Sequence, residues 1–376
     1  MGLTLWHLLI ILEFFVRKVK EIQSKLDTST SSSSIADATI SRRVDVDVSL
    51  VEFSSLSVDN VMKLISHSAR KSSCLDPMPA SLVVQCLDEL LPVITAIINM
   101  SVMSGHFADK LKEAVVTLLL KKPGTKLLFK NLRPVSNLAF ISKLTETAIA
   151  VQLQSQMSCH SLYPVLQSAY RFHHSTETAL LKVHNDILNM NEQHVSLLAL
   201  LDLSAAFDTV NHEILLESMT SKLSIGGTVL LWFRSYQYGW SQRVAVNHKL
   251  LNSCLGLLLF NFYGSSLIEI VEAHLPEVHS YADDSQLYLS FSPGNSLCQD
   301  AAVSAMEACS ADIKKWTQPN TGSLMLNDDK TEFIVIRTCQ QLDHRVNVMS
   351  VQVRNHLITK SRCVGNRGTW FNDTFV

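Results

Sequence analysis

The stretch Val195–Leu203, VSLLALLDL, constrains this chain more than any other. Seven of its nine residues are apolar, and the run has the length of a strand buried on both faces rather than of a core helix. Such a strand lies inside a sheet, and this one carries a carboxylate, Asp202, to its end. About eighty residues later, Tyr281-Ala282-Asp283-Asp284 stands between two strand-like runs, EVHS and SQLYLSF. Adjacent aspartates flanked by strands fall at a hairpin turn. A buried strand ending in Asp beside that hairpin would bring three carboxylates together.

Three carboxylates at short range raise one another's pKa and are costly without compensation. Divalent cations provide it. Mg²⁺ takes hard oxygen ligands, and two ions roughly 3.5–4 Å apart can activate a 3′-hydroxyl and stabilise a leaving pyrophosphate. Phosphoryl transfer asks mainly for that positioning and charge neutralisation. Taken alone, an Asp-Asp pair in a hairpin is ordinary turn chemistry, and one Asp at a strand end is unremarkable. What surrounds them decides.

The surroundings alternate strand and helix, an α/β or α+β pattern. DVDVSLVEF (45–53) has strand period, and Ser57 opens a helix to about His67. After the Asp76-Pro77-Met78-Pro79 turn comes a helical stretch, in which Pro92 is expected to mark a break or a fresh start and Gly105 a stop. KEAVVTLLL (112–120) reads as a buried strand ending in a basic Lys-Lys-Pro-Gly turn. Residues 141–157 and 212–224 read as helices, and 278–290 as a β-hairpin. Asp27 to Ala36 is a polar, Ser/Thr-rich linker.

Apolar residues make up 47% of the 376, enough for a core in two or three domains, and charged residues only 18%. The net charge of −2 argues mildly against a phosphate-gripping protein. Its distribution argues the other way, since Lys110 to Lys182 holds ten Lys/Arg against three Glu. The eight cysteines are scattered without a Cys-x-x-Cys pair. They suggest neither zinc nor disulfides but reduced, mostly buried thiols of an intracellular protein, nuclear or cytoplasmic. The first sixteen residues are apolar but too short for a membrane span and interrupted by His7 and Glu13. No other stretch is expected to cross a bilayer, and no membrane partner is expected.

Along most of its length the chain resembles the reverse transcriptase of LINE-type (non-LTR) retrotransposons. In order, the segments similar to that family are Phe14-Phe15 with KVKEIQSKLDTSTSS, SSCLDPMPASLV, NMSVMSGHFADKLKEAVVTLLLKKPG and NLRPVSNLAFISKLTE. LQSAYRFHHSTETALLKV, LLDLSAAFDTVNHEILL, LLWFRSY, YADDSQLYLS and LNDDKTEFIVI follow, and VGNRGTWFNDTF resembles a degraded Leu-Gly primer-grip motif. YADD alone is moderately specific; preceded by these others in this order, it is highly specific.

The resemblance implies an α+β right-hand polymerase of fingers and palm, an antiparallel palm sheet backed by helices, with the thumb missing because the chain ends near the primer grip. It implies an N-terminal segment (1–36), a helical pre-fingers region (37–110) and the reverse transcriptase domain (111–376), with fingers at 111–195 and palm at 196–376. Asp202, Asp283 and Asp284 take the place of the catalytic, metal-binding carboxylates for two Mg²⁺. Phe207 stands where an aromatic crowds the sugar 2′ position, or as a core aromatic beside Val210. Arg133 and Lys143 match basic residues that hold the incoming triphosphate, by bidentate geometry in the case of Arg. Gln167 and Arg171 are expected to arrange fingers and template. Lys330 is expected to assist the leaving pyrophosphate, and His173 and His174 to be structural or exposed. The implied partners are an RNA template, a DNA primer and dNTP.

The pattern breaks once. Where the family carries Gly-x-Pro-Gln-Gly running into Leu-Gly-Pro-Leu-Leu-Phe, this chain reads NHKLLNSCLGLLLFNFY, with Leu257 in place of Pro. The Pro-Gln-Gly loop, which shapes the floor under the nascent base pair, is missing, a deletion of about ten residues against the family pattern. Arg367 also replaces an expected Leu. The expectation is therefore an RNA-directed DNA polymerase with impaired catalysis. The alternatives are a non-catalytic remnant that binds nucleic acid through Lys110–Lys182, and a translated relic without a selected role.

Overall fold

The computed structural model describes residues 5–27, 49–68, 73–126, 128–190, 194–204, 206–244, 255–275, 277–317, 324–327, 330–338, 346, 348–353, 356–366 and 369–375. The chain opens with helices α1 (Leu5–Asp27), α2 (Val58–His67), α3 (Ala80–Gln85) and α4 (Leu87–Ser104), then strands β1 (Glu113–Leu120) and β2 (Leu132–Leu138). Helices α5 (Phe140–Cys159) and α6 (Thr176–Met190) precede β3 (Val195–Leu201) and β4 (Leu203–Ser204). Next come α7 (His212–Leu223), α8 (Gly227–Gln237), β5 (Ser241–Val244), α9 (Leu255–Tyr263) and α10 (Ser265–Glu272). The hairpin β6 (Glu277–Tyr281) and β7 (Asp284–Phe291) leads into α11 (Ser296–Trp316). Strands β8 (Met325–Leu326), β9 (Glu332–Thr338), β10 (Ser350–Val353), β11 (His356–Thr359), β12 (Cys363–Asn366), β13 (Thr369–Asn372) and β14 (Thr374–Phe375) complete it. This is the mixed α+β content expected. Two compact units interleave along the chain: residues 1–20, 34–162 and 212–259 form one, and 21–33, 163–211 and 260–376 the other.

In the first unit β1 pairs antiparallel with β2 and parallel with β5. Its core is aromatic: Trp232 lies edge-on to Phe53 and Phe107 and stacks on Tyr236, and Trp232 Nε1 donates to Ser101 Oγ at 3.0 Å. Glu146 is fully buried there and accepts a hydrogen bond from the Tyr236 hydroxyl. Gly105 ends α4 at φ 65, and a Cβ there would meet Thr228 O at 2.8 Å, so the stop expected at this glycine is required by packing as well as by conformation.

The second unit is built on a five-stranded sheet in the order β14-β9-β3-β7-β6, antiparallel except where β14 meets β9. The apolar run of β3 takes the central position, hydrogen-bonded on both sides, as its composition demands. On one face Leu198, Tyr288, Ile334 and Ile336 pack with Val183 and Ile187 of α6 and with Val364 and Phe371 of β12 and β13. Helix α11 packs against β7, β10 and α10.

Several expectations need correction. Within DVDVSLVEF, residues 49–53 form no strand beyond a bridge from Leu50 to Ile225. Their neighbours' backbone groups are met by side-chain amides instead: Gln152 bonds both N and O of Ser54, and Asn99 both N and O of Leu56. The helix break falls at Cys86, and Pro92 sits inside α4, where burial of Leu91, Ile94 and Ile98 outweighs one missing backbone bond. Of the described cysteines only Cys309 is buried; Cys74, Cys86, Cys159 and Cys363 are exposed. Two further stretches, Leu87–Ser104 and Leu255–Glu272, are long and apolar enough to cross a membrane by composition. In this fold the first buries one face through Ile94, Ile98 and Val102, and the second is divided at Gly264 into α9 and α10, with Leu258, Leu267 and Val271 buried. The linker beyond Asp27, the region 245–254 and Arg367 lie outside the described residues.

Candidate active site

Strand β3 pairs with β7 through Leu201↔Ser285, so Asp202 and Asp284 come next across the ladder. At Asp202 the chain leaves the large sheet, and Leu203 and Ser204 pair instead with Met325 and Leu326. The acid is held at this change of partner from main chain and side chain alike. Its carbonyl accepts from Asn327 N at 2.8 Å, and its Oδ2 accepts from Asn327 Nδ2 and Lys330 Nζ, each at 2.9 Å.

Tyr281 pairs with Asp284, leaving Ala282 and Asp283 as a two-residue turn. Positive φ at Ala282, 59°, and not at Asp283 is the pattern of a type II′ hairpin turn, which favours glycine at the first central position. With Asp284 heading β7, the two strands put the acid pair where β3 delivers Asp202. Oxygens of Asp202, Asp283 and Asp284 all lie within 4.8 Å of one another, and all three residues are half-buried. An open pocket of about 370 Å³ adjoins them, lined by Asp202, Asp284, Gln286, Lys330, Glu332 and Asn366 among others.

Two oxygens bound to one Mg²⁺ at about 2.1 Å stand at most about 4.2 Å apart. Separations within 4.8 Å lie close to that span, so this donor set fits a hard divalent cation.

A family model described as reverse transcriptase (RNA-dependent DNA polymerase) matches residues 120–355, which include all three carboxylates. The chain belongs to the reverse transcriptase family. No curated protein matches it. Membership implies a nucleic-acid template and deoxynucleoside triphosphates as partners, and divalent metal ions at acidic side chains.

Among the other predicted residues of this reverse transcriptase, Lys330 meets the carboxylates. Lys330, its side chain 62% exposed, forms an ion pair with Asp202. Phe207 is 41% exposed on a short 3₁₀ turn and packs on Phe260 with ring centroids 4.5 Å apart. Arg171 lies over the Tyr163 ring, 5.0 Å from its centroid. Arg133, exposed on β2, and Lys143, half-buried on α5, belong to the first unit, whereas the carboxylates belong to the second. His173 and His174 are exposed, as expected.

The basic stretch is less uniform than its sequence. Lys112 is buried and paired with Asp109, whose carboxyl that contact holds below its usual range, and Lys182 is paired with Asp186. Lys121, Lys122 and Lys126 remain exposed together on the β1–β2 connection.

Sequence reasoning missed Asn327 as a partner of Asp202, and it missed what Gln167 touches. Gln167 is buried, and its Oε1 accepts from Ala282 N at 2.9 Å in the hairpin turn itself. Only the closeness of Asn327 to Lys330 hinted at the first; nothing in the sequence pairs residue 167 with 282.

Proposed function

We propose that this chain is the fingers and palm of a LINE-type retrotransposon reverse transcriptase, an RNA-directed DNA polymerase whose catalysis is impaired. The convergence of Asp202, Asp283 and Asp284 carries the polymerase reading. On this reading the five-stranded sheet belongs to the palm, and β1 and β2, with Arg133 on β2 and Lys143 on the following helix, belong to the fingers, whose basic side chains serve the triphosphate.

The three carboxylates would hold two Mg²⁺, which when bound supply activation of the primer 3′-hydroxyl and neutralisation of the leaving pyrophosphate. Asn327 and Lys330 orient the Asp202 carboxylate. The Lys330 side chain is largely exposed on a flexible stem, so it could turn from Asp202 to meet the pyrophosphate. The exposed part of Phe207 crowds the sugar 2′ position while its other part rests on Phe260. Impairment rests on the missing Pro-Gln-Gly segment before Leu255-Gly256. A misplacement of about 1 Å can cost ~10²-fold in rate.

Primer extension on an RNA template with Mg²⁺ or Mn²⁺ tests this. Weak extension that Asp202→Asn abolishes, and that improves when a Gly-x-Pro-Gln-Gly segment is inserted, is the expected result. Extension at full polymerase rates would remove the impairment, and none even after insertion would remove the polymerase.

A second reading, a non-catalytic nucleic-acid-binding remnant, draws support from the exposed Lys121, Lys122 and Lys126. Salt-sensitive RNA binding that is indifferent to Asp283→Asn, together with no extension, would select it.

A further inference from the structure

We propose that Gln167 is the positioning residue of the acid pair, holding Asp283 and Asp284 in place through the backbone of Ala282. This rests on the reading of the three carboxylates as a metal site.

Ala282 occupies a left-handed conformation, φ 59°, at the turn position where glycine is preferred. An alanine stays there only if its surroundings over-determine it. Gln167 provides the determination. Its Oε1 accepts from Ala282 N at 2.9 Å and from Ala169 N at 3.1 Å, and its Nε2 donates to Ala282 O at 3.4 Å. Two N–H groups facing one oxygen fix which way the amide points, since a flipped amide would set donor against donor.

The clamp is itself clamped. Gln167 is 4% exposed. The residues on either side of it ladder onto β6, with Ser280 N donating to Leu166 O at 2.8 Å and Ser168 N to Ser280 O at 3.0 Å. Asn261 Nδ2 donates to the carbonyl of Ala169. Across the hairpin, Ser280 and Ser285 hydroxyls bond each other at 2.9 Å. A buried side chain, carried on backbone paired to β6, thus reads both N–H and C=O of the one residue between Tyr281 and Asp283. Without it, Ala282 would relax toward negative φ and swing Asp283 away from Asp202.

The test uses the full-length protein and Mn²⁺ alone, with binding read from the loss of the free-ion electron spin resonance signal and folding from circular dichroism. Wild type is expected to bind and Asp202→Asn to lose binding. If wild type binds nothing, or Asp202→Asn binds as wild type does, the metal-site reading fails and this proposal falls with it. Gln167→Met keeps the volume and removes all three bonds, and it is expected to weaken binding about 10- to 100-fold, the usual effect of a residue behind a ligand. Adding Ala282→Gly, which accepts left-handed φ unaided, is expected to restore binding to within about fivefold of wild type, the remainder being glycine's greater freedom.

A folded Gln167→Met that binds like wild type overturns the clamp. So does a loss that Ala282→Gly does not repair, because a merely structural role for Gln167 would be blind to φ at residue 282. Should Gln167→Met not fold, Gln167→Glu retains the acceptor for both N–H groups and is expected to keep most of the affinity; loss of binding there overturns the proposal equally.

Discussion

Replacing Leu198 with alanine tests whether the sheet beneath the carboxylates is packed as described. Leu198 is fully buried at the middle of β3, directly opposite Tyr288 on one side and Ile334 on the other, with Val183 and Ile187 of α6 above it. Three carbons leave the core, which at about 0.8 kcal/mol each forfeits about 2.4 kcal/mol of transfer free energy. The cavity adds to this. Because β3 is hydrogen-bonded on both edges, it cannot slide toward α6 to fill the space, and the expected total lies high in the range of about 2–5 kcal/mol seen for such changes. Equilibrium urea unfolding followed by far-ultraviolet circular dichroism measures it. Backbone pairing between Leu201 and Ser285 survives the change, so Mn²⁺ binding below the transition should persist. A loss below about 1 kcal/mol would mean that this face is not closed over Leu198, and the account of how the strand carries Asp202 would fail.

Three further outcomes follow from the same contacts. Burial, and next the charge of Asp186, raise the Glu277 carboxyl above its ordinary 4.5. The folded state then keeps that proton to higher pH than the unfolded one, so Glu277 costs stability progressively as pH rises from about 4.5; Glu277→Gln should raise the melting temperature at pH 7 and leave it unchanged at pH 4, and an equal rise at both would refute this. Burial pushes the Cys309 thiol up to about 12. Iodoacetamide at pH 8 should therefore label Cys74, Cys86, Cys159 and Cys363 in the folded protein and reach Cys309 only after denaturation, as peptide mass mapping would show. Removing Lys121, Lys122 and Lys126 together should flatten the salt dependence of single-stranded RNA binding by about 2 in the log–log slope if each meets a phosphate; an unchanged slope would place the RNA elsewhere.

What was legible in the sequence was local or strongly patterned. The apolar run of β3 reads as a buried strand and is the central one, the aspartates between strand-like runs mark the hairpin, with Asp283 in its turn and Asp284 heading β7, and Ser57 caps α2 by accepting from Asn60 N as its residue type suggests. What was not legible depended on partners far along the chain. Residues 45–53 alternate like a strand, yet the amides that satisfy the backbone beside them, at Ser54 and Leu56, come from positions 98 and 43 residues away. The Lys110–Lys182 stretch looked like one basic face, but burial of Lys112 and the pairing of Lys182 depend on tertiary contacts that a charge count does not contain. The meeting of Asp202 with Asp283 and Asp284 was anticipated from strand ends, whereas the clamp by Gln167 spans 115 residues and leaves no periodic trace.

The interleaving of the two units has a consequence for biogenesis. Strands β3 and β7 lie side by side, but residues 212–259, between them in the chain, belong to the other unit. The ribosome, adding about 5–20 residues per second, needs about 4–16 s after Asp202 to supply Asp284. During that interval the central strand has no partner on its β7 edge, and such an unpaired apolar edge invites association with other chains. The length of the segment between the two strands sets the length of the detour and not the two edges that must meet, and lengthening a loop adds to its closure entropy only logarithmically. The nascent polypeptide thus passes through an interval in which Asp202 waits on an unpaired strand, and a chaperone acting there would serve the three carboxylates before they have met.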